Sequence, residues 1–391
     1  WKQDIQKACP CGVNVFQSRE RSRGKKVVLF VDHYVPMPDR DAGSRTVFQY
    51  VRMFLKQGFA VKFIGDNFHK SEPYTAMMQQ MGVEVLYGAY YQKHLFAWLD
   101  ENQAWIDFVF LNRPHISVKY IDYFCEKTDC KVFYYGHDLH FLRNRREFAL
   151  TKDPKKEKEA KEWADKEFYL MRRADLSYYP SQTEVDEIQK LDSSIRVKAV
   201  TAYAFESFPQ GGQEDVAGRE GMLFVGGFAH DPNRDAVLWF AKEVYPLIRK
   251  ERQIPFIIAG SYPTSEIEKL DGKNGITVKA FASVQELTAL YASCRIAVVP
   301  LRYGAGVKGK VVEALYHGIP VVTTPVGAEG IEDIHTAVCV AQQSAQGFAA
   351  QVLRLYDDTQ RLREMSAASQ ELVKKQFSMD AVWEKIKEDF V

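Results

Sequence analysis

Residues Val298-Val-Pro-Leu-Arg-Tyr-Gly-Ala-Gly-Val-Lys-Gly-Lys-Val-Val-Glu-Ala-Leu-Tyr-His-Gly-Ile-Pro-Val-Val322 read as strand, glycine-rich turn, helix and second strand. The apolar run ends at Pro300, and Gly304, Gly306 and Gly309 allow a ligand to approach the backbone closely. A helix is expected from about Lys310 to His317, so free amides and the positive end of the helix dipole converge on the turn. Lys308 and Lys310 add full charges suited to a diphosphate. Glu313, one helical turn on, is placed to accept both hydroxyls of a ribose. No Ser or Thr follows either lysine to hold Mg²⁺, so this is not the Gly-x-x-x-x-Gly-Lys-Ser/Thr loop of nucleotide hydrolases.

Working outward, strand and helix patterns alternate along the chain. Lys26–Val31, Ala60–Gly65, Glu84–Tyr87, Phe108–Leu111, Lys131–Tyr135 and Ala174–Tyr179 read as strands separated by helical patterns such as Ser44–Gln57 and Tyr74–Met81. A long helical stretch over 141–175 is dense in charge and anchored by Trp163, Phe168 and Leu170, which reads as a solvated helix face. Ser181-Gln-Thr-Glu184 is a capping box opening the next helix. A second series runs from Met222–Val225 through a helix over Ala236–Arg249 and strands at Pro255–Ala259, Ile276–Lys279, Ile296–Pro300 and Pro320–Thr323 to helices beyond Ser344. Alternation of this kind predicts two α/β Rossmann-like domains, each a parallel sheet flanked by helices, facing each other across a cleft. The expected boundaries are a leader at 1–25, a first domain at 26–205, a Gly/Pro-rich linker at 206–220, a second domain at 221–376 and a C-terminal helix at 377–391 packing back toward the first domain.

The 391 residues, 46% hydrophobic and 26% charged, are those of a globular chain. A formal net charge of +1 argues against a nucleic-acid partner. No window reaches the apolar length of a membrane span. Six cysteines, Cys9, Cys11, Cys125, Cys130, Cys294 and Cys339, form neither a disulfide framework nor a common zinc spacing and are expected as free thiols. No Gly-x-Gly-x-x-Gly follows either domain's first strand, which disfavours a nicotinamide-dependent dehydrogenase.

Further candidate residues gather in loops after strands. Gly226-Gly-Phe228 follows the first strand of the second series. In Asp39-Arg-Asp-Ala-Gly-Ser-Arg45, Gly43 and Ser44 can offer amides to a diphosphate, while Arg40 and Arg45 are phosphate or acceptor contacts, or neighbours of a helix cap. Asp39-x-Asp41 also spells a metal-binding acid pair, a reading its early place in the chain disfavours. Tyr134-Tyr-Gly-His-Asp-Leu-His140 and Asn112-Arg-Pro-His115 put ionisable groups at the carboxyl ends of strands, the edge where open α/β sheets bind ligands. Arg113, His115, Asp138 and His140 are therefore acceptor-side candidates.

The chain resembles the retaining, group 1 type glycosyltransferases of glycosyltransferase family 4, which have the GT-B fold, over about residues 26–390. The resemblance is carried by Leu223-Phe-Val-Gly-Gly-Phe228 with His230-Asp-Pro-Asn233, by the glycine-rich stretch, and by Thr324-Pro-Val-Gly-Ala-Glu-Gly330. It implies transfer of a sugar from a UDP, GDP or dTDP donor to a hydroxyl of a glycan or lipid-linked glycan, with retention and without a metal or other cofactor. Surface polysaccharide synthesis in the cytoplasm, at the inner membrane face and within a larger multidomain protein, is the expected setting. Members carry two glutamates separated by seven residues; Glu313 matches the second and Ala305 stands at the first, leaving the backbone of Gly306 and Val307 as the expected substitute. By the same resemblance Lys308 is the diphosphate clamp and His137, the other catalytic candidate, sits beside the donor sugar. Gly226 and Gly227 lie near the phosphates, Phe281 belongs to the loop that contacts the base, and Arg234 is the nearest basic residue after the Gly-Gly loop. The alternatives are a nucleotide-sugar 2-epimerase, which donor alone would reveal, and a catalytically silent nucleotide-sugar-binding module, which a turnover panel would reveal.

Overall fold

The computed structural model describes residues 24–209 and 215–391. Most of the expected leader, residues 210–214 of the expected linker, and Cys9 and Cys11 lie outside the described residues. Thirteen strands are seen among the described residues: β1 Val27–Asp32, β2 Ala60–Gly65, β3 Glu84–Leu86, β4 Phe108–Asn112, β5 Lys131–Tyr135, β6 Leu176–Tyr179, β7 Val197–Ala199, β8 Met222–Val225, β9 Phe256–Gly260, β10 Ile276–Ala280, β11 Ile296–Val299, β12 Val321–Thr323 and β13 Val338–Val340. They form a seven-stranded sheet of order β3-β2-β1-β4-β5-β6-β7 and a six-stranded sheet of order β10-β9-β8-β11-β12-β13. The pairings are parallel, with Val27 opposite Ala60 and Met222 opposite both Phe256 and Ile296. Both sheets follow the Rossmann order, in which winding reverses between the first strand and the fourth and leaves a crevice outside the carboxyl ends there. In the second sheet that crevice lies between β8 and β11, at the strands that lead into Gly226-Gly227 and the glycine-rich turn.

The described residues separate into two compact units, the first comprising those up to Val35, Tyr50–Tyr134 and Arg173–Asp175, and the second those within Pro36–Gln49, Tyr135–Arg172 and Leu176–Val391. The core of the first is aromatic: Phe30 stacks on Phe110 at 4.9 Å and meets Phe54 edge-on at 5.5 Å, all three fully buried. β1 is buried along its whole length, which explains its unbroken apolar run. In the second unit, Phe224, Phe240, Phe256, Val298, Val311, Leu315, Val322 and Phe348 form the centre of a continuous apolar core around the six-stranded sheet. Asp389, near the C-terminus, accepts hydrogen bonds from the Tyr178 hydroxyl and Lys198, and tethers the end of the chain to β6 and β7.

Three elements depart from their predicted form. The charged stretch over 141–175 is two helices, His140–Thr151 and Pro154–Arg173, because Lys152 turns left-handed (φ 59°) and Pro154 begins a new helix. The helix expected over Ala236–Arg249 starts earlier, at Asp231, and carries a wide turn over Phe240–Val244 ahead of Pro246. The capping box at Ser181 forms by half: Ser181 accepts from the Glu184 amide, but the Glu184 carboxylate turns to the Leu139 amide instead of its own helix start. Cys125, Cys130, Cys294 and Cys339 are free thiols.

Candidate active site

Leaving β11, the chain passes through Gly304 (φ 150°) and Gly306 (φ 70°) and enters the helix Gly309–Tyr316 with Lys308 as its N-cap. At Gly306 a Cβ would stand 3.3 Å from a Glu184 carboxylate oxygen with the backbone in the left-handed region, so the turn requires glycine there. Intrahelical bonding begins with the Val311 and Val312 amides on the Lys308 carbonyl, which leaves the Gly309 and Lys310 amides at the exposed pole of the helix dipole.

Lys308 is buried, its ammonium hydrogen-bonded to the Gly306 carbonyl and 3.6 Å from Glu329. Burial lowers its pKa, while Glu329 and Glu184 pull the other way. Arg146 braces this arrangement, giving a two-pronged pair to Glu329 at 2.7 and 2.9 Å and a further bond to the Gly304 carbonyl at 2.7 Å. The ammonium is thus fixed by its neighbours within the turn. Lys310, over the Phe224 ring, is pushed down to about 8 by burial and by Lys308.

Glu313 projects from the same helix and pairs with Arg45, whose guanidinium also donates to the Pro38 carbonyl. That ion pair raises the Arg45 pKa and joins the Asp39–Arg45 segment to the glycine turn. Gly309 faces the Tyr203 hydroxyl, which a Cβ would meet at 1.7 Å. Gly309→Ala should therefore displace Tyr203 or the helix start, with about 1–3 kcal/mol lost to overpacking, readable by denaturant unfolding.

His137 stands at a left-handed position (φ 64°), edge-on to Tyr135 at 4.8 Å. A non-glycine residue in that region is sterically costly and such strain clusters at functional turns. Burial pushes the neighbouring Asp138 up, but Arg143, His140, His230 and His137 outweigh it and hold the carboxylate near about 2. His140 lies 3.0 Å from Glu167 through Nδ1 and stacks on Trp163 at 4.5 Å. Burial lowers the His140 pKa, but Asp138 and Glu167 more than restore it, so the net shift is upward.

The signs set two pH windows. His140 contributes stability that is complete below its unfolded value of about 6.5 and lost as pH rises through its higher folded value. Asp138 contributes stability that is present above its unfolded value of about 3.9 and lost as pH falls toward about 2. Denaturant midpoints across pH 2–9 should fall at both ends, and His140→Gln should flatten the neutral-to-alkaline fall specifically.

The remaining candidates fall in distinct surroundings. Gly226 and Gly227 follow β8 and are held by Asn233, whose amide donates to the Gly227 carbonyl at 2.7 Å. Phe281 is 62% exposed and meets Tyr262, itself 64% exposed, edge-on at 5.2 Å; both have positive φ, 53° and 54°. Ser44 is fully buried and gives its amide and hydroxyl to the two oxygens of Asp41, which caps the helix Ala42–Lys56. Gly43 lies in the first turn of that helix, and Arg40 is exposed ahead of it. Arg234 pairs with Asp231. Arg113 and His115 belong to the first unit, at its own β1–β4 crevice, where Arg113 pairs with Asp32 at 2.7 Å and His115 meets the His33 ring edge-on. Among the described residues no group of three or more His, Cys, Asp or Glu side chains is set to hold a metal ion. No described helix is long and apolar enough to cross a membrane.

Nothing in the sequence alone assigns Glu184, Glu329, Arg146 and Glu167 to the site. Glu329 lies within the Thr324–Gly330 motif and Glu184 has the spacing of a local cap, while Arg146 and Glu167 lie in a stretch of dense charge with nothing local to single them out.

Residues 219–358 match the family model described as Glycosyl transferases group 1. An uncharacterized 44.6 kDa protein in the cps region of Klebsiella pneumoniae is 27% identical over 173 residues, 42% of this chain and 44% of that protein, so the match spans less than half of either. Among solved structures, sucrose-phosphate synthase from Thermosynechococcus elongatus superposes with a TM-score of 0.66 at 14% identity, covering 94% of this chain and 98% of that one. Anabaena HepE in complex with UDP and glucose gives 0.65 at 17% identity over 93% and 99%. Residues 219–358 thus form a domain that matches the group 1 glycosyl transferase model, and the chain as a whole has the GT-B fold of these solved structures.

Proposed function

We propose that the protein moves a sugar from a nucleotide-diphosphate donor to a hydroxyl of a glycan or lipid-linked glycan acceptor, with retention at the anomeric carbon and without an obligatory metal. The observation that carries the reading is the buried Lys308 ammonium at the N-terminus of the helix Gly309–Tyr316, framed by Gly304 and Gly306 and followed one turn later by Glu313. A diphosphate seated there meets helix amides and a fixed cation, and the leaving group is stabilised as the glycosidic bond to phosphate breaks. His137 is the protein group offered to the donor sugar, and the departing phosphate oxygen takes the acceptor proton. UDP is the favoured nucleotide, since HepE was solved with UDP and glucose. A role in surface polysaccharide synthesis draws support from the cps-region location of the Klebsiella relative. A thermal-shift screen of UDP-, GDP- and dTDP-sugars tests the donor class: a ligand that binds only the native state raises Tm, by roughly 2.7 kcal/mol of stabilisation at a hundred times its Kd. Failure of all three to shift the transition would overturn the reading.

A further inference from the structure

Glu184 is fully buried and touches three segments at once. Its Oε1 accepts the Leu139 amide at 2.9 Å, directly after His137 and Asp138; its Oε2 lies 3.0 Å from the Ser181 hydroxyl; and its carboxylate faces Gly306. We propose that Glu184 is a positioning residue that couples diphosphate binding at the glycine turn to the uptake of one proton. This rests on the donor reading above and names how that site is regulated.

Two carboxylates, Glu184 and Glu329, act on the single Lys308 ammonium. Glu329 has a guanidinium of its own, the two-pronged Arg146. Asp138, which also faces Glu184, is neutralised by Arg143. Glu184 therefore depends on Lys308 for compensation, and a diphosphate claiming that lysine leaves it as the carboxylate with most to gain from protonation. Burial and Asp138 already push Glu184 up to about 8, against Lys308, Ser181 and the Leu139 amide. The local bonds permit the change without movement: the Ser181 hydroxyl donates to the ionised carboxylate and accepts from the protonated one, while Oε1 keeps the Leu139 amide in both states. The proton comes from solvent and forms an O–H bond at Oε2.

Calorimetric titration of the full chain with UDP, at pH 8.5 in buffers of different ionisation enthalpy, counts the protons taken up. Wild type should take up roughly half a proton or more, and its affinity should fall between pH 8 and 9 by up to about tenfold, the limit for one linked proton. Glu184→Gln keeps both hydrogen bonds without the titration, so its proton uptake should fall to the share left by Lys308 and Lys310 and its affinity profile should flatten by the same amount. Should Glu184→Gln fold poorly, Glu184→Asp reports instead: its shorter arm loses the Leu139 bond that favours the ionised form, and uptake should move to higher pH. Equal proton uptake in wild type and Glu184→Gln, or an unmoved profile in Glu184→Asp, would overturn the coupling while leaving the donor reading intact. Failure of UDP, GDP and dTDP alike to bind would overturn both.

Discussion

Lys308→Ala should lower kcat/KM for sugar transfer roughly a hundred- to a thousand-fold, the range seen when one preorganised donor to a developing negative charge is removed. The ammonium is buried, fixed by the Gly306 carbonyl and Glu329, and placed at a helix N-terminus, so water cannot replace it at the same position. Loss should appear in kcat as well as in KM, because charge on the diphosphate grows as its bond to the sugar breaks. Lys308→Arg should recover little, because a planar guanidinium does not reproduce the compact ammonium held against Gly306 and Glu329. Steady-state kinetics with the donor found by thermal shift measures both variants. A loss under about fivefold in Lys308→Ala would remove the residue from the chemistry.

Glu167→Ala should be the most destabilising single change near the site, at about 3–5 kcal/mol. Glu167 is fully buried; Oε1 accepts the His140 amide at 2.9 Å and faces His140 Nδ1 at 3.0 Å, while Oε2 accepts the Phe141 amide at 3.1 Å. One carboxylate thus caps the helix His140–Thr151 and balances an imidazole whose pKa its presence helps to raise. Truncation leaves two helix amides and that imidazole facing a void. Glu167→Gln, which retains an acceptor oxygen, should lose less than half as much. Denaturant unfolding near pH 6, where His140 is protonated, gives the largest contrast.

Much of the fold can be read where a segment's burial is uniform. β2 and β5 run over the residues their apolar patterns mark, because each is buried along nearly its whole length. The three-residue strands β7 and β13 are missed because they lie at sheet edges and are too short and too little buried to carry a pattern. The break at Lys152 was announced by Asp153-Pro154 but masked by the charge periodicity on both sides. Within the site, the glycine turn and Lys308 are legible because amides, glycines and lysines cluster within a few residues of one another. Glu184, Glu167 and Arg146 are not, since their partners lie 45, 27 and 183 positions away in the chain and only tertiary folding supplies them. Burial also changes what such residues mean, since a glutamate that caps a surface helix in sequence becomes a shared carboxylate in the interior.

The glycine turn is the proposed seat of the diphosphate, and a crystal structure of the protein grown with UDP tests this most directly. The expected result places both phosphates against the amides that begin the helix Gly309–Tyr316, the Lys308 ammonium within hydrogen-bond distance, and the ribose hydroxyls on Glu313. UDP bound elsewhere, with that turn and Lys308 untouched, would contradict it.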